Sequence, residues 1–125
     1  MKVKIYYHHT DCGGFVYYAK YLEFLEEART EFFAEKDLSV KELNRKNILF
    51  VVARQEIDYK SPAFYGDILE IETQLTNISG VRLEFEYEIK NQDKKTIATA
   101  KTTMVCVDNN LKPKAISEEI RNKLS

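Results

Sequence analysis

Two stretches in the second half of the chain alternate between apolar and polar residues. In residues 69–76 the odd positions are mainly apolar and the even positions polar, and residues 82–90 repeat this pattern. A period of two residues is typical of strands that bury one face and expose the other. Because Ser79-Gly80 lies between the two stretches, they predict an antiparallel hairpin.

Three further strands are predicted around this hairpin. Residues 2–7 begin with alternating charged and apolar side chains, and residues 48–60 are rich in β-branched and aromatic residues. The length of the second segment predicts a bend or a bulge. Pro62 ends it, because proline cannot donate to a sheet ladder. Residues 91–95 predict a turn, and residues 96–107 predict a last long strand.

Residues 16–35 follow a helical period instead. Apolar side chains recur at spacings of four, three and four residues, and charged side chains occupy the opposite side. The pattern predicts an amphipathic helix of about five turns and about 28 Å. The apolar positions are Tyr21, Leu25, Ala28 and Phe32, and the charged ones are Lys20, Glu23, Glu27 and Glu31. Shorter helices are predicted within residues 38–47 and after Ser117, a typical N-cap residue.

One strand, one long helix and a run of antiparallel strands predict an α+β fold. A helix that is apolar along one stripe needs a sheet to cover it, so we expect a curved five-stranded antiparallel sheet wrapped around the central helix. Residues 1–125 are expected to form a single domain. Open sheet edges and an aromatic content of eight Tyr and seven Phe favour a homo-oligomer. The alternative is a monomer whose tyrosines are scattered singly over its surface.

Composition excludes several classes of protein. With 44% hydrophobic and 31% charged residues the chain is not disordered, and a net charge of −1 gives no electrostatic basis for binding nucleic acid. Cys12 and Cys106 fit no zinc pattern or disulfide framework, and no motif predicts a metal or a cofactor. The N-terminus does not resemble a signal peptide and no apolar run is long enough to span a bilayer, so we expect a cytoplasmic protein.

The candidate chemistry lies in residues 9–21. Asp11 precedes Gly13-Gly14, which allow the main chain to approach a ligand closely, and the predicted helix follows at once. The first N–H groups of a helix have no partner within it and carry partial positive charge. An acid beside such donors predicts an active site for attack on a carbonyl group. The alternative is that Asp11 is a turn residue bonded to its own backbone.

Two other candidates carry less chemistry. His8 and His9 are adjacent in a segment predicted to be extended, where neighbouring side chains point in opposite directions, so a shared metal is not expected. Cys12 is a possible nucleophile by residue type, but no general base is placed beside it in the sequence.

The segment 7–21, together with residues 26–31, resembles the hotdog-fold acyl-CoA thioesterases of the 4-hydroxybenzoyl-CoA thioesterase and YbgC type. The resemblance continues in order through residues 50–52, 57–63, 66–70 and 105–108 and covers nearly the whole chain. It implies a hotdog fold and hydrolysis of an acyl-CoA thioester to a free acid and CoA. It also implies a homotetramer built from dimers. Acyl carrier protein is a second candidate partner.

Carried over by position, the catalytic acid of the family is Asp11, acting as nucleophile or general base. The oxyanion donor, a backbone N–H at the start of the central helix, falls at Tyr18. The predicted substrate pocket takes Phe15, Val16 and Tyr17 from the aromatic run after the acid and Gly14 from the glycine pair, and the resemblance adds Tyr7. The chain departs from YbgC members at two positions, with Tyr18 in place of the usual His and Lys20 in place of the usual Asn.

The resemblance leaves the acyl group open between a short aliphatic chain and an aryl group. A non-catalytic protein that binds acyl-CoA or acyl carrier protein is the alternative function. A dehydratase of the same fold would need His8 or His9 beside Glu26 or Glu27. The basic residues considered for contact with CoA phosphates are Arg54, Lys60, Arg82, Lys90, Lys112 and Lys114.

Overall fold

The computed structural model describes residues 1–125. Five strands, three helices and one 3-10 turn follow one another along the chain. They are β1 (Lys2–Lys4), the 3-10 turn (Tyr7–His9), α1 (Lys20–Glu35), α2 (Val40–Arg45), β2 (Leu49–Tyr59), β3 (Ile68–Ile78), β4 (Arg82–Lys90), β5 (Thr96–Val107) and α3 (Glu118–Leu124).

The five strands form one antiparallel sheet in the order β1-β3-β4-β5-β2. The last three strands in sequence are a meander, and the hairpin of β3 and β4 is confirmed. β2 pairs with β5 rather than with β3, so residues 60–67 cross from one side of the sheet towards the other. Consequently β1 and β2 are the two edge strands.

Side-chain alternation in the strands agrees with the sequence. In β4 the four apolar residues Leu83, Phe85, Tyr87 and Ile89 are all buried, while the residues between them are partly exposed. The bulge expected in the long β2 strand lies between Val52 and Arg54, where Ala53 has no partner in β5. One extra residue there bends the edge strand.

Helix α1 packs against the inner face of the sheet. The rings of Phe32 and Phe33 lie edge-on to Phe85 with centroid distances of 5.5 and 5.9 Å. Leu25 and Ala28, from the predicted apolar stripe, are buried in the same layer. The helix therefore supplies one half of the core and the sheet supplies the other, as the amphipathic pattern predicted.

Two predicted boundaries in the N-terminal segment are wrong. The first strand ends at Lys4 rather than Tyr7, because His9 N–H donates to the Tyr6 carbonyl at 3.0 Å and closes a 3-10 turn. Helix α1 begins at Lys20 rather than near Val16, whose N–H donates to the Ala63 carbonyl at 2.8 Å. Pairing with distant segments has outweighed the local helical pattern there. None of the three helices combines the length and the apolar composition that a membrane span requires.

Candidate active site

The loop that carries Asp11 is a tight turn. Gly14 N–H donates to the Asp11 carbonyl at 3.0 Å, and Gly13 N–H donates to Asp11 Oδ1 at 2.8 Å. Gly14 has φ +84°, a backbone conformation that favours glycine. Asp11 therefore does bond to its own backbone, as the alternative interpretation predicted. That contact uses one carboxylate oxygen, and Oδ2 accepts no hydrogen bond within the chain.

Gly13 allows the acid and an aromatic ring to lie close together. A Cβ atom at this position would stand 3.0 Å from the Phe15 ring and 3.1 Å from Asp11 Oδ1. Both distances are shorter than ordinary van der Waals contact. The sequence predicts that the glycine pair allows the backbone to approach a ligand closely. At Gly13 the close neighbour is instead the protein's own acid, Asp11.

Backbone pairing fixes the loop to the segment that follows β2. Asp11 N–H donates to the Phe15 carbonyl at 3.1 Å, and Val16 forms a bridge with Thr10. Phe15 forms a second bridge with Phe64. Because the Phe15–Phe64 bridge joins residues about fifty positions apart, the position of Asp11 depends on tertiary structure and not on the local turn alone.

Asp11 opens onto a cavity of about 330 Å³ at the start of α1. Of the residues predicted for the site, Phe15, Val16 and Tyr18 share this cavity with the acid. The others lie outside its lining. Tyr7 is exposed and packs edge-on against Tyr65 at 6.1 Å, Tyr17 packs against Tyr18 at 4.9 Å, and Gly14 shapes the turn.

The opposite wall of the cavity comes from the end of β2 and from α1. Its residues are Tyr21, Tyr59, Lys60, Ser61 and Pro62. The sequence predicts Lys60 only as a candidate contact for phosphate and does not predict the other four as site residues. The sequence signal that marks this wall is the Ser61-Pro62 break after a long strand.

Tyr18 lies two residues before the first residue of α1. Its N–H donates to no acceptor within the chain, whereas the N–H groups of Tyr17 and Lys20 donate to His9 and Tyr17 carbonyls. The Tyr18 carbonyl accepts a hydrogen bond from the Tyr59 hydroxyl at 3.0 Å. An unsatisfied N–H beside a cavity is a suitable donor for an anionic oxygen.

Two of the phenols around the cavity, those of Tyr21 and Tyr59, are held in their neutral form. Burial, with smaller contributions from Tyr59 and Asp67, raises the pKa of Tyr21 to about 12. Burial also raises the pKa of Tyr59, with a further contribution from Tyr18. These side chains therefore act near neutral pH as walls and hydrogen-bond donors, and not as bases.

The two histidines lie in a different groove from Asp11. They are in the 3-10 turn rather than in an extended segment, and their rings are 4.1 Å apart, so the prediction that they point in opposite directions is wrong. Tyr6 N–H donates to His9 Nδ1 at 2.9 Å. Their groove, of about 610 Å³, is also lined by Glu23, Glu26 and Glu27, and Asp11 is not part of it. No group of three or more His, Cys, Asp or Glu side chains is arranged to hold a metal ion.

Comparisons with known proteins show the family of the chain. The sequence model described as the thioesterase-like superfamily matches residues 6–124. The chain is 38% identical over 119 residues to the acyl-CoA thioester hydrolase YbgC of Escherichia coli O6:H1, covering 94% of this chain and 89% of the relative. It is 35% identical over 132 residues to the long-chain acyl-CoA thioesterase FadM of Escherichia coli K12, covering 98% and 94%.

A solved structure shows the same fold throughout. The crystal structure of a hypothetical protein from Aquifex aeolicus, 27% identical, covers 100% of this chain and 98% of its own with a TM-score of 0.94. Sheet, central helix and acid-bearing loop thus define a hotdog protein of the thioesterase class. The chain belongs to the thioesterase-like superfamily. The predicted family, hotdog fold and enzyme class, a thioester hydrolase, are confirmed.

Proposed function

We propose that this protein hydrolyses acyl-CoA thioesters and that Asp11 and the Tyr18 backbone carry out the reaction. One observation carries the proposal. Asp11, whose Oδ2 accepts no hydrogen bond, lines the same cavity as Tyr18, whose backbone N–H donates none. Acyl transfer needs this combination, a group that attacks or activates water and a donor for the oxygen that becomes negative. The named activities of YbgC and FadM support the same chemistry.

The reaction begins when the thioester carbonyl enters the cavity. Asp11 attacks the carbonyl carbon directly, or it removes a proton from a water molecule that attacks instead. The C=O electron pair moves to oxygen, and the Tyr18 N–H donates to this oxyanion. Such a donor contributes roughly 3–4 kcal/mol in other enzymes. When the carbonyl reforms, the C–S bond breaks and the CoA thiolate leaves and takes up a proton. In the direct route, water then hydrolyses the acyl-aspartyl anhydride.

The cavity wall suits a short aliphatic or aryl acyl group. Phe15, Tyr21 and Tyr59 supply aromatic surface around about 330 Å³. Lys60 adds one positive charge at the same cavity, where it would attract an anionic part of the substrate. The proposed carrier of the acyl group is CoA or acyl carrier protein. Pockets of this kind discriminate by about 1–3 kcal/mol per methylene, so chain length must be measured. A panel of acetyl-, hexanoyl-, benzoyl- and palmitoyl-CoA spans the short, aryl and long classes.

We also propose that two chains pair through their β2 strands and that dimers associate into tetramers. β2 is an eleven-residue edge strand whose outer N–H and C=O groups have no partner strand. Exposed pairing groups of this length favour addition of another strand. A two-fold axis beside β2 would extend the sheet across both chains and bring Tyr59 and the catalytic cavity to the interface.

The Asp11→Asn variant tests the catalytic proposal. Asparagine keeps the acceptor for Gly13 N–H but loses the charge, so we expect kcat for CoA release to fall by about 10²-fold or more. Free thiol is measured for each acyl-CoA, and thermal unfolding confirms that the variant folds. Asp93→Asn, in the turn before β5, is the matched control and should keep wild-type turnover. Wild-type activity in Asp11→Asn would overturn the assignment.

The alternative function makes the opposite prediction. A protein that only binds acyl-CoA or acyl carrier protein would show saturable binding with no release of thiol by the wild-type chain. In that case Asp11→Asn and the wild type would differ in affinity at most, and no acyl-CoA of the panel would be turned over.

A further inference from the structure

A buried arginine lies on the inner face of α1 with almost none of its hydrogen-bonding capacity used. Arg29 is 7% exposed and stands one turn from both Leu25 and Phe33, which are buried on the same face. Its Nη1 donates to the Tyr87 hydroxyl at 3.2 Å, and this is the only hydrogen bond that the guanidinium makes. A guanidinium carries five N–H donors in a planar fork.

No acid within the chain compensates this charge. None of the six ion pairs includes Arg29, so no carboxylate oxygen lies within 4.0 Å of the guanidinium. An unpaired charge on a buried side chain is unfavourable, and the guanidinium nitrogens without a partner are not fully enclosed, so a ligand can reach them. The presence of Arg29 at this buried position therefore points to an anionic ligand from outside the chain.

Arg29 lines a cavity whose other walls are mainly apolar. The cavity measures about 290 Å³ and lies between α1, α2 and the first half of β2. Phe33, Leu43, Phe50 and Met104 are among its lining residues. It shares no lining residue with the cavity of Asp11, and Arg29 lies nine residues, or roughly 14 Å, along α1 from Lys20.

We propose that Arg29 and this cavity bind a carboxylate that carries an apolar tail. The planar fork matches the two oxygens of a carboxylate, and the apolar walls accommodate the tail. A phosphate would bring a second negative charge to a site with one cation, and Glu26 at the same cavity disfavours it further. The ligand is thus a monoanionic acid of the chemical class that thioester hydrolysis releases.

Two sources supply this chemistry. One is the free acid, which reaches the cavity independently of the catalytic site. The other is a carboxylate at the far end of a long acyl group during hydrolysis, and only this second source rests on the proposed function. The separation of the two cavities favours the free acid, because a short or aryl acyl group held beside Asp11 does not span about 14 Å.

Calorimetric titration with sodium octanoate tests the site without any turnover. We expect Arg29→Met to weaken octanoate binding by about 10- to 100-fold, the effect of losing a charge-assisted hydrogen bond. Methionine fills a similar volume; removal of the unpaired charge favours the fold and loss of the hydrogen bond to the Tyr87 hydroxyl opposes it, so thermal unfolding is measured to confirm that the variant folds. Arg54→Met, on the exposed side of β2, is the matched control for loss of one charge and should bind octanoate normally.

Four results separate the possibilities. If octanoate binding depends on Arg29 and 1-octanol binds far more weakly, the free-acid site is supported. If the wild type instead prefers tetradecanedioyl-CoA, whose acyl chain is long enough to span the two cavities, to tetradecanoyl-CoA in kcat/KM and Arg29→Met loses that preference, the distal carboxylate of the acyl group is the ligand. Equal octanoate affinity and equal preference in wild type and Arg29→Met would overturn the proposal. A smaller oligomer in Arg29→Met with unchanged octanoate affinity would also overturn it and assign Arg29 to a subunit contact.

Discussion

The hydroxyl of Tyr59 donates a hydrogen bond to the backbone carbonyl of Tyr18 at 3.0 Å. This contact joins the last residue of β2 to the turn that precedes α1, although the two residues are 41 positions apart. The Tyr59 ring also packs edge-on against the rings of Tyr18 and Tyr21, with centroid distances of 6.4 and 5.6 Å. Tyr59 therefore holds the peptide group beside the N–H that we propose as oxyanion donor.

Replacing Tyr59 by phenylalanine should affect turnover more than substrate binding. The ring packing remains, but the bond that orients the Tyr18 backbone is lost. An exposed hydrogen bond contributes about 0.5–1.5 kcal/mol, so we expect kcat to fall by about 2- to 10-fold with KM nearly unchanged. Steady-state release of CoA measures both parameters.

Tyr65→Phe is the control for this substitution. The Tyr65 hydroxyl makes no hydrogen bond within the chain, and its ring packs on Tyr7 outside the cavity of Asp11. It should keep wild-type kcat. If Tyr59→Phe raised KM alone, Tyr59 would be a substrate contact and not a positioning residue.

The strands could be predicted from the sequence because their pattern is local. The bounds of β4 and β5 agree with the predicted segments to the residue, since each strand alternates over nine residues or more. The pairing of β2 with β5 could not be predicted. Strand order depends on contacts between distant segments. If consecutive strands were always neighbours in the sheet, β2 would lie beside β3.

The candidate site divides in the same way. Asp11, Phe15, Val16 and Tyr18 are close in sequence, and the structure brings them to one cavity. The wall from Tyr59 to Pro62 is not predicted as part of the site, because only the three-dimensional path of the chain after β2 brings these residues to the cavity of Asp11. Arg29 was missed for a different reason. A helical pattern identifies the apolar face, but it does not show that a charged residue beside it is buried without an acid partner.

Gly13→Ala should disturb the acid without unfolding the protein. The new methyl group would meet the Phe15 ring at 3.0 Å and Asp11 Oδ1 at 3.1 Å, so the carboxylate must shift. Small displacements of catalytic groups lower rates by about 10- to 100-fold, and we expect a loss of kcat in this range. Because Gly13 has no positive φ, the change in the free energy of unfolding should stay below about 1 kcal/mol.

Gly80→Ala provides the comparison. A Cβ atom at Gly80 meets no atom within 4 Å, and the residue has no positive φ. This variant should match the wild type in CoA release and in urea-induced unfolding. Full activity in Gly13→Ala would show that the position of the Asp11 carboxylate does not limit the reaction.

Val52→Asp should separate the proposed dimer. Val52 lies on the β2 edge beside the bulge and is 47% exposed in the single chain. A charge on an edge strand opposes pairing with another strand. Light scattering after size-exclusion chromatography should show a smaller species, and CoA release should fall with it. Leu111→Asp, at a 67% exposed loop position with φ +61°, should leave both unchanged. An intact oligomer in Val52→Asp would place the interface elsewhere.

His9 should make stability depend on pH. Burial lowers the pKa of His9 below 6.5, His8 and Lys20 lower it further, and Glu23 opposes them. The neutral ring accepts the Tyr6 N–H at Nδ1, and protonation of that nitrogen removes the acceptor. At pH values between the His9 pKa of 6.5 in the unfolded state and the lower pKa in the folded state, the unfolded state binds more protons than the folded state. Stability from this residue is therefore present above pH 6.5 and is lost as the pH falls through the folded pKa.

His9→Asn isolates this contribution, because its side-chain oxygen can accept the Tyr6 N–H at every pH. We expect the wild-type urea midpoint to fall between pH 7.5 and 5 and the His9→Asn midpoint to fall less over the same range. His8→Asn should keep most of the wild-type slope, since burial is the largest cause of the shift at His9. Parallel slopes in wild type and His9→Asn would show that His9 does not cause the loss of stability at acid pH.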